Sequence, residues 1–266
     1  MSATRTAPAP APATTALSRM TALARAELTL LGRTKGAVVA ALFVPLVMPF
    51  TVRATAKDMD LAEAGLNTGT LVLPAAVGFS LLFAVYSVLV GSLVVRREEL
   101  VLKRLRTGEL RDAEILAGSA LPAVLTGLAQ CLLLAVCCSV WLDLSAPSAP
   151  HVVVLGVLLG LVMSAALAAA TAGFTRTGES AQVTPMPLML VSMMGSGMFV
   201  PLEMLPDRLA SVCAWLPLTP VITLVRGGWS GDLSASEALR ATAIALAWIA
   251  VGVFAVRRRF RWEPRR

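Results

Sequence analysis

The amino-acid sequence predicts an all-α polytopic membrane protein with an amphipathic N-terminal helix, six transmembrane helices and a short re-entrant helical pair before the last span. Of its 266 residues, 57% are hydrophobic and 15% are charged, and the mean hydropathy is +0.77. A soluble domain is roughly half apolar and a quarter charged, so this chain has too little polar surface for a water-soluble body. Aromatic residues make up 5%, which disfavours an outer-membrane barrel with its aromatic girdles. Long uncharged stretches, separated by short charged segments, favour helices instead.

The N-terminal part of the chain has two sections. Residues 1–16 are rich in Ala, Pro and Thr and predict a disordered tail. Over 17–35, leucine and methionine recur at helical spacing with charged residues between them. We expect this amphipathic helix to lie in the membrane interface; the alternative is a simple extension of the first span.

A transmembrane domain is predicted over 36–256. A transmembrane helix needs about 20 mainly apolar residues, and six stretches qualify. The predicted spans are 37–55, 70–95, 115–141, 152–175, 183–200 and 238–256.

The segment 201–226 is apolar but does not fit as a seventh span. Its four prolines leave no helix longer than roughly ten residues. We expect two short helices that dip into the outer interface, where irregular backbone is tolerated if protein or water covers it. The residues that mark this re-entrant segment are Pro201, Glu203, Pro206, Trp215 and Pro217.

The distribution of basic residues predicts the orientation. With six spans, 18 of the 23 Lys and Arg residues lie on the side of the termini and five on the other side. The positive-inside rule then places both termini in the cytoplasm of a cell-membrane protein, with 257–266 as a basic cytoplasmic tail. This orientation accounts for the net charge of +7, and nucleic-acid binding is not expected.

The sequence offers no catalytic or metal centre. None of the three lysines lies in a phosphate-binding glycine-rich motif, so the chain cannot bind ATP through a P-loop of its own. His151 is the single histidine, and the four cysteines lack metal-binding spacing. The spans contain almost no charge, which argues against an ion-coupled transporter. We therefore expect neither enzymatic activity nor a cofactor in this chain.

The densest charge cluster, at 96–114, joins the second and third spans. A short helix over about 97–106 followed by a turn at Thr107 and Gly108 fits its pattern. A solvated loop is the simpler interpretation, and a protein-docking element is the alternative that its mixed charge and helical character favour. The candidate docking residues are Arg97, Glu98, Glu99, Leu100, Leu102, Lys103, Arg104 and Arg106.

Two further sets of residues lie inside the spans. The fourth span has small residues at every fourth position, which lets another helix approach closely, in this chain or in a second subunit. These packing residues are Gly156, Gly160, Ser164 and Ala168. Polar groups at membrane depth either bond neighbouring helices or line a substrate path. The possible path residues are Tyr86, Thr126, Gln130 and Ser164.

Taken together, these segments resemble the permease subunits of type-2 ATP-binding-cassette (ABC) exporters, in particular daunorubicin-resistance-like permeases. Helix 17–35 resembles that family's elbow helix, and RREELVLKRLRTG resembles its cytoplasmic coupling helix. The stretch 194–227 is the most specific, with small residues, P-x-x-x-L-P and two short helices before a last span. The resemblance covers about residues 17–260.

The resemblance implies a pore made with a second permease copy or a homologue, and two cytoplasmic ABC ATPases docked at 97–106. ATP and Mg would be bound by those partners. The apolar spans favour a drug, antibiotic or lipid-like amphiphile as cargo, and antibiotic resistance is the first expectation. The alternatives are a polysaccharide or other glycan exporter, and a membrane-embedded enzyme or structural module without transport activity.

Overall fold

The computed structural model describes residues 15–33, 68–108, 110–141, 144–198 and 202–263. The predicted tail falls outside them except for its last two positions, and the predicted first span at 37–55 lies outside them entirely.

Every regular element in the described ranges is helical. We number the α-helices α1 to α9, and α2 combines three consecutive stretches. They are α1 (Ala16–Arg33), α2 (Thr68–Ser80, the π-helical Leu81–Ser87, and Val88–Glu98), α3 (Val101–Arg106), α4 (Asp112–Trp141), α5 (Pro150–Phe174), α6 (Met186–Gly195), α7 (Asp207–Cys213), α8 (Thr219–Ser230) and α9 (Ala235–Arg259). Two 3₁₀ turns, Ser180–Gln182 and Leu202–Met204, precede α6 and α7.

Four helices in the described part of the chain are long and apolar enough to cross a membrane, namely α2, α4, α5 and α9. They overlap the predicted spans 70–95, 115–141, 152–175 and 238–256. Local capping lengthens two of them. Helix α4 starts at Asp112, where the Glu114 carboxylate accepts the Arg111 N–H at 2.9 Å. Helix α9 starts at Ala235 because Ser234 and Glu237 form a reciprocal capping box.

The predicted span 183–200 is a much shorter helix in the structure. Helix α6 has ten residues, about 15 Å at the usual rise, against a hydrocarbon core of about 30 Å. Prolines at 185 and 187 fix its start, and beyond Gly195 the left-handed Gly197 (φ 75°) ends the helical path. The apolar pattern identified the segment, but its prolines and glycines limited the length of the helix.

Helix α5 is the centre of the bundle and packs against α2, α4, α8 and α9. The small residues predicted as a packing stripe lie in these contacts. A Cβ added at Gly156 would lie 2.9 Å from the Leu224 Cβ of α8, and one at Gly160 would lie 2.6 Å from the Leu81 Cδ1 of α2. Ser164 and Ala168 are also buried. The stripe of small residues on α5 therefore packs against other helices of this same chain.

The segment predicted as re-entrant contains two short helices of different character. Helix α7 has no buried residue, whereas most of α8 is buried against α2, α5 and α9. Helix α8 continues to Ser230, four residues beyond the predicted end, and stops at the left-handed Gly231 (φ 87°). The Gly228 carbonyl accepts the Ala149 N–H at 2.8 Å, so the end of α8 is fixed to the start of α5.

The first prediction concerns Gly228, where α8 meets the backbone of α5. A Cβ there would lie 2.9 Å from the Val153 backbone nitrogen and 3.0 Å from the Val152 Cβ, and neither atom can move alone. We expect Gly228→Ala to destabilise the protein by about 1–3 kcal/mol, the usual cost of overpacking. Thermal unfolding of the detergent-solubilised protein measures the loss.

Gly91→Ala is the matched control for this substitution. Gly91 also lies inside an apolar helix, but an added Cβ would meet nothing within 4 Å. Because alanine favours helices over glycine, Gly91→Ala should leave the melting temperature unchanged or raise it. Equal melting temperatures for the two variants would contradict the packing of α8 on α5.

Candidate coupling surface

The charge cluster at 96–114 forms a sharp corner between α2 and α3, and the single helix predicted over 97–106 is wrong. Helix α2 ends at Glu98, and Leu100 adopts a left-handed conformation (φ 60°, ψ 15°) before α3 begins at Val101. This conformation costs a non-glycine residue roughly 1–2 kcal/mol. The cost is offset by the contacts on both sides of the corner. The chain then turns at Thr107 and Gly108, as predicted.

Arg97 fixes the first side of the corner from inside the protein. Only 1% of the residue is exposed, and its guanidinium donates to the carbonyls of Ala172 (2.9 Å), Thr175 (2.6 Å) and Arg176 (3.2 Å). These carbonyls lie at and just beyond the C-terminal end of α5, where unpaired acceptors and the negative pole of the helix dipole favour a cation. Arg97 thus joins the end of α2 to the end of α5.

Glu98 adds a second link to the same region. Both of its carboxylate oxygens accept the Gly178 N–H, at 3.1 and 3.2 Å. A Cβ at position 178 would lie 3.0 Å from the Glu98 Oε2, so the close approach suits glycine. The corner is therefore held against the turn that follows α5 by two successive side chains of α2.

Helix α1 is attached to the same end of the bundle by two ion pairs. The nearly buried Glu27 carboxylate pairs with both terminal nitrogens of Arg96, the second at 2.7 Å. Arg19 binds Glu114 at the start of α4 through Nε (3.3 Å) and Nη2 (3.2 Å). The described part of α1 thus spans the ends of α2 and α4.

The chain after α9 covers one side of α3. Lys103 Nζ lies 2.8 Å from the Glu263 Oε1, and the Arg106 guanidinium lies 5.1 Å from the centroid of the Trp262 ring. The hydrogen bond from Lys103, and then its charge, lower the pKa of the Glu263 carboxyl. Arg106 also donates to Asp112 at 3.0 Å. Exposed pairs of this kind contribute little stability each, but together they define the position of the tail.

The structure divides the predicted docking residues into two groups. Arg97 and Leu102 (0% exposed) are buried in the chain itself, and Glu98 holds the corner. The others present charge and one apolar side chain to solvent. These surface residues are Glu99, Leu100, Lys103, Arg104 and Arg106. Leu100, 40% exposed, is the apolar member and lies at the apex of the corner.

Several contacts of this surface were not predicted from the sequence. Nothing in the charge pattern indicated that Arg97 bonds backbone carbonyls 75 to 79 residues away. The pairing of Lys103 with Glu263 was likewise not predicted. A usable signal was the position of Arg97 one helical turn after Leu93 and Val94, which are both buried and lie on the same face of α2.

The possible path residues lie between helices of the chain. The Tyr86 hydroxyl lies 3.0 Å from the Thr171 Oγ1, and Ser80 donates to the Gln130 Oε1 at 2.6 Å. The Thr126 hydroxyl donates within its own helix, to the Pro122 carbonyl. Tyr86, Gln130 and Ser164 are at most 4% exposed. These hydrogen bonds join neighbouring helices or lie within one helix. A transport path along these residues therefore stays a prediction.

The residues that mark the segment 201–226 lie before and between its two helices. Pro206 is exposed and caps the start of α7, Trp215 is 62% exposed, and Pro217 is buried before α8. The Trp215 carbonyl accepts the indole N–H of Trp248 in α9 at 2.8 Å. Pro201 and the side chain of Glu203 lie outside the described residues.

Helices that are long and apolar enough to cross a membrane, with a charged corner at one end, are typical of a multi-pass membrane protein. Residues 18–229 match the family described as ABC-2 type transporter, which is most of the chain. The chain belongs to this family and is a permease subunit of an ABC transporter. The matched range begins in α1 and ends in α8. A comparison with curated proteins found no match to this chain.

Family membership has two direct consequences. The ABC-2 membrane domain is a transport component and is not itself catalytic. It also implies association with an ABC ATPase partner. The corner described above is the candidate surface for that association.

The second prediction separates the buried from the exposed arginines of the corner. Arg97→Met removes the donors to three carbonyls at the end of α5 but keeps most of the side-chain volume. Buried acceptors left without partners cost about 1–3 kcal/mol each. Removal of the buried guanidinium also removes its desolvation cost, which offsets part of that total, so we expect a net loss of roughly 2–4 kcal/mol. Arg104→Met, on the exposed face of α3, should change stability by less than about 0.5 kcal/mol.

Thermal unfolding in detergent and the monodisperse yield of the two variants provide the measurement. A melting temperature for Arg97→Met equal to that of Arg104→Met would show that Arg97 does not secure the corner.

Proposed function

We propose that this chain is the membrane subunit of an ATP-driven exporter that moves a drug, antibiotic or lipid-like amphiphile out of the cell. The observation that carries the proposal is the corner at Leu100: a small, rigidly supported surface with one exposed apolar side chain among charges. A surface that must transmit motion from a partner has to be fixed to the spans, and Arg97 and Glu98 supply that connection.

Docking at this corner would have a simple energetic basis. Buried apolar side chains supply most of the affinity of a protein interface, and surrounding charges tune orientation and rate. Leu100 is the apolar candidate, and Glu99, Lys103 and Arg104 surround it. Arg97 and Leu102 are enclosed in the chain and act as supports rather than contacts.

Coupling then follows from the connections of the corner. The partner ATPases bind ATP and Mg, and their closure moves the corner. Because Arg97 joins α2 to the end of α5, and Glu27 joins α1 to Arg96, displacement of the corner is passed to three helices together. We propose two permease copies, or one with a homologue, whose rearrangement releases the cargo outward.

The interior favours an amphiphile over a glycan. The buried core is built of Leu, Val and Ala, and the polar groups at membrane depth that we considered, Tyr86, Gln130 and Thr126, bond to other groups of the chain. A glycan path would be expected to carry exposed polar or aromatic side chains. Glycan export is the second candidate and is an outcome of the transport test below.

The third prediction tests docking at Leu100. Leu100→Asn removes the apolar side chain, while asparagine tolerates the left-handed conformation better than leucine. The corner should therefore keep its fold and lose affinity for the ATPase. Burial of a leucine contributes about 1.5–3 kcal/mol, so we expect a loss of roughly ten-fold or more in affinity.

Copurification with the partner ATPase measures docking, and ATP-dependent uptake of a fluorescent amphiphilic cation into inside-out vesicles measures transport. Both should fall in Leu100→Asn and stay at the wild-type level in Arg208→Gln, an exposed charge on α7 that is not part of the corner. Unchanged copurification in Leu100→Asn would contradict docking at the corner. Intact docking without uptake of any amphiphile would instead favour the glycan candidate.

The fourth prediction tests the proposed orientation, with six spans and both termini in the cytoplasm. Arg104→Cys on α3 and Ser236→Cys on α9 place single exposed thiols at opposite ends of the bundle, in a background without native cysteines. A membrane-impermeant maleimide added to intact cells should label position 236 and not position 104. The reverse labelling would invert the topology, and labelling of both positions would contradict the proposed spans.

A further inference from the structure

Two cavities adjoin at Phe260 and Trp262, the aromatic pair that follows α9. One cavity, of about 490 Å³, lies between α2, α4, α5 and α9 and is mainly apolar. The other, of about 620 Å³, lies between α3 and the tail and is lined by charged side chains. Both include Phe260 and Trp262 in their walls, and the two rings meet edge to face with centroids 5.1 Å apart.

The apolar cavity is lined by alanines, whose small side chains leave the space unfilled. Three come from α4 and three from α5, and larger side chains at these positions would fill the space: Ala113, Ala117, Ala120, Ala165, Ala166 and Ala169. The alanines of α4 extend over about 10 Å along the helix axis. Toward the start of α9 the cavity is bounded where Gly252 meets α5, since a Cβ there would lie 3.0 Å from the Ala166 Cβ.

The neighbouring cavity has an excess of positive charge. Lys103, Arg106 and Arg261 line it with one carboxylate, Glu263, which is paired with Lys103. Asp112 and Arg257 stand in the wall of the apolar cavity, and Asp112 is paired with Arg106. The two cavities together present four cations and two carboxylates, and each carboxylate is held by one of the cations.

We propose that the two adjoining cavities together bind an anionic glycerophospholipid from the membrane leaflet at this end of the bundle. One acyl chain lies among the alanines of α4 and α5, and the phosphate lies near Arg106 and Arg261. The position of the apolar cavity suits a lipid, because it lies toward the ends of spanning helices and beside Trp262, a residue type enriched at membrane interfaces. The positive charge of the second cavity suits an anionic headgroup, since basic side chains at a membrane surface attract anionic lipids.

The bound lipid connects the tail to the docking surface. Arg106 belongs to α3, and Arg257 and Trp262 belong to α9 and the chain after it. A phosphate between Arg106 and Arg261 adds to the contacts that already hold the tail against α3, namely Lys103 with Glu263 and Arg106 with Trp262. The lipid is therefore a structural ligand of the corner, separate from any transported cargo and independent of its identity.

The test uses the purified full chain and native mass spectrometry, with palmitoyl-oleoyl phosphatidylglycerol and the corresponding phosphatidylcholine as probes. The wild type should retain phosphatidylglycerol about ten-fold better than phosphatidylcholine, given the two proposed arginine contacts. Arg106→Gln with Arg261→Gln should reduce retention of phosphatidylglycerol to the level of phosphatidylcholine. Arg240→Gln, an exposed arginine at the opposite end of α9, is the matched control and should retain the preference.

A second variant tests the apolar cavity. Ala117→Phe should displace about two methylene groups of the acyl chain and lower phosphatidylglycerol retention roughly ten-fold. Ala129→Phe, an exposed alanine further along α4 that does not line the cavity, should have no effect. The arginine variants keep the proposal testable if Ala117→Phe does not fold. Equal retention of both lipids by the wild type, or equal retention by folded Ala117→Phe and Ala129→Phe, would overturn the proposal.

Discussion

The corner between α2 and α3 depends on one buried guanidinium. Arg97 reaches back from the end of α2 and donates to carbonyls at and beyond the end of α5. Carbonyls at and beyond the end of a helix lack the N–H donors of a following turn, and in a protein with few interior polar groups they need another donor. A single side chain therefore satisfies three acceptors and also determines where the charged surface lies relative to the central helix. The left-handed turn at Leu100 is stable because its two sides are fixed in this way.

Close approach of helices supplies the second constraint. Helix α5 contacts four other helices, and it does so through positions without large side chains. Gly156 and Gly160 receive side chains of α8 and α2, and Gly127 of α4 receives Val85 from the π-helical part of α2. In lipid, association of helices relies on packing and hydrogen bonds rather than on exclusion of water. Small residues are therefore what allow a bundle of mostly apolar helices to have one specific arrangement.

The two constraints divide the protein into regions with different chemistry. The central bundle is apolar and tightly packed, and its polar groups, such as Tyr86 and Gln130, bond across helices. At the end that carries the corner, side chains from α1, α2, α3, α4 and the tail form ion pairs. Motion of the corner would be carried by these pairs and by Arg97, whereas the glycine contacts of α5 keep the spans together. This division accords with a membrane transport component that associates with an ABC ATPase partner.

The sequence by itself determined the class of the protein, the positions of four spanning helices, the amphipathic character of α1 and the charged segment between two spans. These features follow from composition and periodicity, which are local properties. It did not determine the length of α6, where prolines and glycines interrupt an apolar run, or the break at Leu100. Nor did the charge pattern distinguish Arg97 from Arg104, since both are arginines in one charged segment. Only the tertiary structure decided which is buried, because the carbonyls that Arg97 binds come from a helix more than 70 residues away.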